Sequence, residues 1–175
     1  MPQKPPAPSF EDLLDSAQHH ALHLELRDVY AVGEEREVFH AFLRDGSVPA
    51  DDSQFWGGWL PLAERTVARG VKVRRARGVP EFLTDYIRFE HAITDTNLRA
   101  GEQVRRLPRC RASTIALPDN DFWPIDDKVV CWNLFSGDGQ ALEPDHTEDP
   151  SAVKLCAEAF RSVWNLATLH ADYRI

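Results

Sequence analysis

The apolar positions change period several times along the chain, and each change marks an element. Ser9 and Asp12 read as an N-cap and a first-turn acid, opening a helix that runs to about residue 20. In Ala21-Leu22-His23-Leu24-Glu25-Leu26-Arg27 the leucines alternate with polar residues, the period of a half-buried strand. Leu22, Leu24 and Leu26 then face the core, and His23, Glu25 and Arg27 share the other side. Val38, Phe39, Phe42 and Leu43 form the apolar stripe of a helix over residues 34–43, broken by Asp45-Gly46-Ser47-Val48-Pro49. A further helical stretch covers residues 54–69. Gly70 follows where a left-handed C-cap belongs, and Val71-Lys72-Val73-Arg74-Arg75 continues as a strand. The unit then repeats. Phe82, Tyr86, Phe89 and Ile93 recur at helical spacing over residues 81–100, Gly101 caps them, and residues 103–107 form a second basic strand. Two helix-Gly-strand units in succession predict parallel neighbours in one sheet.

The later chain is β-rich. Residues 122–125 and 129–135 are apolar runs separated by Asp126-Asp127-Lys128, a tight hairpin turn, and Ser136-Gly137-Asp138-Gly139 makes a second turn. Asp149-Pro150 opens a last helix, with Pro at its first position. Val153, Cys156, Phe160, Val163, Trp164 and Ala167 form its buried stripe, with Trp164 packing the helix onto the sheet one turn beyond Phe160. The expected organisation is a flexible Pro-rich tail over residues 1–8 and a single α/β domain over residues 9–175: a mixed sheet flanked by helices, with a long C-terminal helix.

Composition narrows the class. The chain has 175 residues, 43% hydrophobic and 27% charged, which excludes a disordered or fibrous chain. A domain of this size buries roughly 70% of its unfolded surface and needs no disulfide or metal to hold its core. Cys110, Cys131 and Cys156 are too scattered for a disulfide framework or a zinc knuckle. They fit a reducing cytoplasm, each as a small buried side chain. The start is short and proline-rich, unlike a signal peptide, and no run approaches the ~18 apolar residues of a membrane span.

Charge adds the most informative asymmetry. The net charge is −8, yet residues 65–111 hold twelve Lys and Arg against five acids. That segment nets +7 and leaves −15 on the rest. Such a split points to an anionic ligand or an acidic partner for one sector, unless the two halves neutralise each other within the fold. Arg74, Arg75, Arg77, Arg105 and Arg106 fall at or near strand ends, where ligands of open α/β sheets collect. Their planar forks suit carboxylates and phosphates. Trp123 offers such a cleft a stacking surface, and Tyr86 and Arg88 stand nearby on a helix. Each has a plain packing alternative: Trp123 as sheet core, and Tyr86-x-Arg88-x-Glu90 as a helix with one buried ring and two solvated charges.

Standard catalytic motifs are absent: there is no phosphate loop, dinucleotide fingerprint or nucleophile elbow. His19, His20 and His23 are dense, but the leucine alternation ends the helix that would align them, and no Cys or third ligand stands near. No metal or cofactor is therefore expected. Direct nucleic-acid binding is disfavoured by the acidic balance and the lack of a recognition helix.

Leu24-Glu25-Leu26-Arg27-Asp28-Val29-Tyr30, Ala68-Arg69-Gly70-Val71-Lys72-Val73-Arg74-Arg75, Asp85-Tyr86-Ile87-Arg88-Phe89-Glu90 and Asp121-Phe122-Trp123-Pro124-Ile125-Asp126-Asp127 resemble an uncharacterised actinomycete family of unknown function. Members of that family often lie beside helix-turn-helix regulators in morphology and antibiotic clusters, so the resemblance implies such a context. At the level of fold, the helix-to-strand step at Ala68–Arg74 and the Phe122–Val129 hairpin resemble phospholipase-D-like domains. Active members carry His-x-Lys and, after four intervening residues, Asp; the His is the nucleophile and the Lys holds phosphoryl oxygens. Asp126 matches that Asp, but Asp119 and Asp121 stand where the His and Lys belong. An acid repels phosphate and forms no phosphohistidine, so the resemblance implies a degenerate version without catalytic residues.

The sequence therefore leads to a cytoplasmic, non-catalytic accessory or regulatory domain. It would act through an acidic protein partner, plausibly a helix-turn-helix regulator, or a small anion. The alternative is a small-molecule enzyme whose anionic substrate is held by Arg74, Arg75 and Arg88. His23, Glu25 and Glu90 are its candidate bases, with nothing in the sequence to fix their neighbours.

Overall fold

Among the described residues, β1 (His20–Glu25), β2 (Lys72–Val79), β3 (Gln103–Pro108), β4 (Asp121–Ile125), β5 (Val129–Asn133), β6 (Asp145–Thr147) and β7 (Thr168–Leu169) join one sheet in the order β6-β5-β4-β1-β2-β3-β7. The structure, a computed structural model, describes residues 8–30 and 33–175. The proline-rich tail expected at residues 1–8 lies, but for Pro8, outside them. Strands β1 (His20–Glu25), β2 (Lys72–Val79) and β3 (Gln103–Pro108) run parallel. They are flanked by antiparallel β4 (Asp121–Ile125), β5 (Val129–Asn133) and β6 (Asp145–Thr147) on one side and by short β7 (Thr168–Leu169) on the other. The expected parallel pair β2–β3 is present, and β1 extends it.

Among the described residues, five helices cover both faces: α1 (Phe10–Ser16), α2 (Gly33–Asp45), α3 (Trp59–Ala68), α4 (Asp85–Arg99) and α5 (Pro150–Leu166). The α/β mixed sheet with a long C-terminal helix expected from the pattern is what the chain forms. Ser9 caps α1 in a reciprocal capping box with Asp12, and α1 stops at Ser16, short of residue 20. Gly70 and Gly101 adopt φ of +87° and +93°, so both helix-Gly-strand junctions turn through the left-handed region.

The sheet's two faces carry different cores. Leu22, Leu24, Ala76, Leu107, Phe122 and Val130 pack beneath Val153, Cys156, Phe160 and Val163 of α5. On the opposite face, Ala21, Val73, Trp123, Ile125 and Cys131 pack against Leu13, Leu14 and Leu62 of α1 and α3. Because β1 is central, its polar side is covered as thoroughly as its leucine side. His23 and Glu25 are both buried.

Several expectations need correction. Helix α4 begins at Asp85 with Thr84 as N-cap, and Phe82 stands outside it, exposed at φ +66°, rather than in its apolar stripe. Strand β2 runs on to Val79 because Arg77 finds internal partners. The 54–69 stretch is interrupted at Gly57-Gly58 into a 3-10 turn (Gln54–Trp56) and α3. Cys110 is exposed, unlike Cys131 and Cys156. The hairpin turn is as expected: Asp126 and Asp127 both take positive φ, as a type I′ turn requires. Asp126 also accepts the backbone N–H groups of Gln18, His19 and His20 at 2.8–2.9 Å, tying the entry of β1 to the hairpin. Among the described residues no helix is long and apolar enough to cross a membrane.

Candidate functional site: a charged cavity with aromatic walls

A cavity of about 310 Å³ opens on the face away from α5. Its floor is made by the register of the parallel strands. His23, Arg75 and Val104 lie side by side across β1, β2 and β3, and Glu25, Arg77 and Arg106 form the next row. Strand alternation sends all six to one side, and α4 covers them with Glu90, Thr94 and Asn97. Tyr30, Phe55, Trp56, Trp59 and Phe135 supply apolar wall, and Glu35 of α2 and Asp121 of β4 add carboxyls.

The floor is a chain of ion pairs. Glu25 accepts from Arg75 Nη1 at 2.9 Å and from Arg77 Nη1 at 2.7 Å. Arg75 also donates through Nε to buried Glu102 at 2.7 Å, and Asn97 donates to the same carboxylate at 2.9 Å. Arg77 pairs in addition with Glu90. Burial pushes the Glu25 carboxyl up, but Arg75 and Arg77 together outweigh it and hold it well below the usual carboxylate range. Glu90 shares its cation with Glu25. Burial dominates there, Arg77 offsets only part of it, and Glu25 and Glu35 add repulsion, so Glu90 is raised to about 7. Burial also lifts Asp121 to about 6, against the hydrogen bond from Tyr30, and raises Glu35, against the bond from Tyr86.

Arg106 is different. It is buried, yet no carboxylate lies within ion-pair distance among the described residues. Nε donates to His170 Nδ1 at 3.1 Å and Nη2 to Thr94 Oγ1 at 2.8 Å, both neutral partners, while Nη1 has no partner. Burial and neighbouring Arg77 lower its pKa to about 10. His23 is stacked on Trp123 with ring centroids 4.1 Å apart, and burial drives it down to about 3. It is neutral across the physiological range, and Glu25 is an ion-paired anion, so neither is poised as a base. Trp56 Nε1 and Trp59 Nε1 also lack partners among the described residues.

The pleat divides the residues expected to form one basic site. Arg75, Arg77 and Arg106 meet on the cavity floor, buried or half-buried rather than displayed. Arg74 and Arg105 point to the other face, where their guanidiniums lie 5.3 and 4.5 Å from the ring of Trp164. Trp123 does not line the cavity; it backs His23 within the core. Tyr86 is buried behind the wall, its OH on Glu35 at 2.5 Å. Arg88 is exposed on the outer side of α4, away from the cavity. Tyr30, Glu35, Trp56, Trp59, Phe135 and, as a cavity carboxyl, Asp121 were missed. The alternation of β1 marked its polar side, but only the central place of the strand in the sheet makes that side a covered, charged interior. Among the described residues no His, Cys, Asp or Glu cluster is arranged to hold a metal ion.

The family described as Domain of unknown function (DUF6879) matches residues 8–175. The chain belongs to it. No curated protein matches. Among solved structures, TrmBL2, an archaeal chromatin protein with a novel mode of DNA binding, is 16% identical with a TM-score of 0.48. The alignment covers 90% of this chain and 48% of that one, so the chain spans about half of TrmBL2's length. Nuc from Salmonella typhimurium, a phospholipase D family member, is 13% identical with a TM-score of 0.49, over 94% of this chain and 88% of that one. At these values neither likeness bears on chemistry, and the functional argument rests on the cavity.

Proposed function

We propose that this DUF6879 domain is a small-molecule-binding, regulatory module whose ligand brings an acidic group to Arg106 and a flat or apolar body to the aromatic wall. The carrying observation is Arg106: a buried guanidinium on the cavity floor that has, among the described residues, no carboxylate partner and no partner at Nη1. Leaving a charge buried and unpaired costs several kcal/mol, which a ligand anion offsets. The cavity's 310 Å³ falls at the small end of ligand sites and suits a metabolite rather than a peptide. For the acidic protein partner expected from the sequence we propose a separate surface. Lys72, Arg74 and Arg105 lie on the α5 side without a carboxylate partner among the described residues, around the half-buried Trp164.

Thermal-shift screening against aromatic and aliphatic carboxylates and monophosphates tests the reading. Members of the panel should raise the melting temperature of the wild-type protein and of Arg74→Gln. The gain should disappear in Arg106→Gln and shrink in Arg106→Lys, which keeps the charge but loses the fork. Stabilisation that survives Arg106→Gln overturns it.

One observation favours a second reading. Glu90, raised to about 7 on the cavity wall, has the protonation balance of a general acid–base, so the cavity also fits an enzyme acting on an anionic substrate. Mass spectrometry of a stabilising compound after incubation separates the two. Turnover abolished in Glu90→Gln supports the enzyme; an unchanged compound supports the binding module.

A further inference from the structure

Resting on the reading of the α5 side as the seat of an acidic partner, we infer that this surface takes a phosphorylated side chain of another protein, its phosphate monoester held by Lys72, Arg74 and Arg161 and its flanking residues against Trp164. The site is a pocket of about 390 Å³ between the sheet and α5. Its lining holds three cations and two histidines and, among the described residues, no acid, in a chain with 28 acids against 20 Lys and Arg. The register explains the convergence. His20 stands opposite Lys72 and Leu22 opposite Arg74 on neighbouring parallel strands, and strand alternation sends all four to the α5 side. Arg161 and Trp164, one turn apart on α5, line the same pocket from the other side.

Charge count selects the ligand. Arg161 is paired with Asp127. Lys72 has no carboxylate partner among the described residues. Arg74 donates to the neutral Gln103 at 2.9 Å and lies 5.3 Å from the Trp164 ring. Asp126, the other carboxylate at this end of the strands, already accepts three backbone N–H groups. Two cations in one pocket are therefore left without a counter-charge. A single carboxylate balances one of them. A phosphate monoester carries a charge of about −1.5 to −2 and three acceptor oxygens, so it balances both and can accept from Arg161 as well. Exposure favours a partner protein over a free metabolite: Lys72, Arg161 and Asn165 are exposed, whereas small-molecule sites enclose most of their ligand. Leu22 and Phe160 close the floor, and half-buried Trp164 offers apolar area to the residues beside the phosphate.

Fluorescence-anisotropy titration of the whole chain with labelled peptide libraries tests this. Each library fixes phosphoserine, phosphothreonine or phosphotyrosine at the centre of a degenerate nonapeptide, and matched libraries fix Ser, Thr, Tyr or Glu there. At least one phosphorylated library should bind about tenfold or more tighter than its unmodified and Glu counterparts, and tighter by as much than free phosphoserine. Lys72→Gln and Arg74→Gln should each weaken it about fivefold or more, while Arg106→Gln in the cavity leaves it unchanged. Asp127→Asn keeps a residue suited to the left-handed hairpin turn and frees Arg161, so it should tighten binding severalfold. A Glu library as tight as the phosphorylated one overturns the phosphate and leaves the acidic-partner surface standing. Free phosphoserine as tight as the peptides overturns the partner protein as the source. A duplex oligonucleotide that binds tighter than every peptide overturns the proposal in favour of a nucleic-acid backbone. Affinity unchanged in both Lys72→Gln and Arg74→Gln overturns the site. Absence of binding by the phosphorylated libraries at millimolar concentration overturns the proposal as well; the Glu libraries then judge the surface, and the carboxylate and monophosphate panel above judges the cavity.

Discussion

Glu25 is one carboxylate serving two guanidiniums, and that stoichiometry sets the titration behaviour of its neighbours. Because burial outweighs the share of Arg77 that Glu25 leaves to it, Glu90 titrates near 7 when folded against 4.5 as a free side chain. The folded form therefore binds more protons between these values, and the contribution of Glu90 to stability falls as pH rises from 4.5 to 7. His23 has the opposite sign. It titrates near 3 when folded against 6.5 when free, so the unfolded chain takes the proton first and the His23 contribution is lost as pH falls from 6.5 to 3. Melting curves of wild type and Glu90→Gln across pH 4.5–7 check the first: the difference should move in the wild type's favour as pH falls. A difference that stays flat means that Glu90 is not buried as described. For His23→Asn, the difference should move against the wild type on acidification below 6.5.

Among the elements, β1 shows what periodicity can and cannot carry. Its alternation correctly set Leu22 and Leu24 on one side and His23 and Glu25 on the other, because side-chain parity is a property of the strand alone. What covers the second side depends on where the strand sits in the sheet, which no local pattern encodes. A central β1 turns an expected solvent face into the floor of a cavity. Phe82 failed for a related reason: its spacing fits the α4 stripe, but the Thr84 cap starts the helix after it. The two helix-Gly-strand junctions were legible from glycine placement, and they differ in a measurable way. A Cβ at Gly70 meets nothing within 4 Å, whereas at Gly101 it falls 2.8 Å from Val67 Cγ1. Both alanine substitutions carry the left-handed strain, and Gly101→Ala adds overpacking, so it should cost about 1–3 kcal/mol more than Gly70→Ala. Equal losses in denaturant titrations would place Val67 elsewhere. Trp164, which is half-buried beside Phe160 with ring centroids 5.5 Å apart, should cost less on truncation to Ala than the ~3–5 kcal/mol of a fully enclosed aromatic.

At the scale of the molecule, the charge asymmetry of the sequence is resolved mostly by the fold itself. Arg65 and Arg69 reach acids of α1, Arg75 and Arg77 reach Glu25, Arg99 reaches Asp51, and Arg109 reaches Asp28. In each case a cation of the basic segment meets an acid from outside it, so the split first read as a surface feature is largely an internal pairing scheme. The split was visible in composition; its resolution was not, because ion-pair partners 48 or more positions apart are set by topology. Arg74 and Arg75, neighbours in sequence on opposite faces, separate the two roles. Arg75→Met strands Glu25 and buried Glu102 without their shared cation and should cost about 3 kcal/mol or more. Arg74→Met loses a bond to Gln103 and a contact with Trp164, about 1 kcal/mol or less. Raising salt to about 0.5 M should leave the Arg75 deficit nearly intact, since screening acts weakly on enclosed pairs. Should an acidic partner dock around Trp164, the same salt should weaken it, and Arg74→Glu with Arg105→Glu should abolish it while the fold melts within a few degrees of wild type. Comparable stability losses at Arg74 and Arg75 would mean that the basic segment is not divided between the faces in this way.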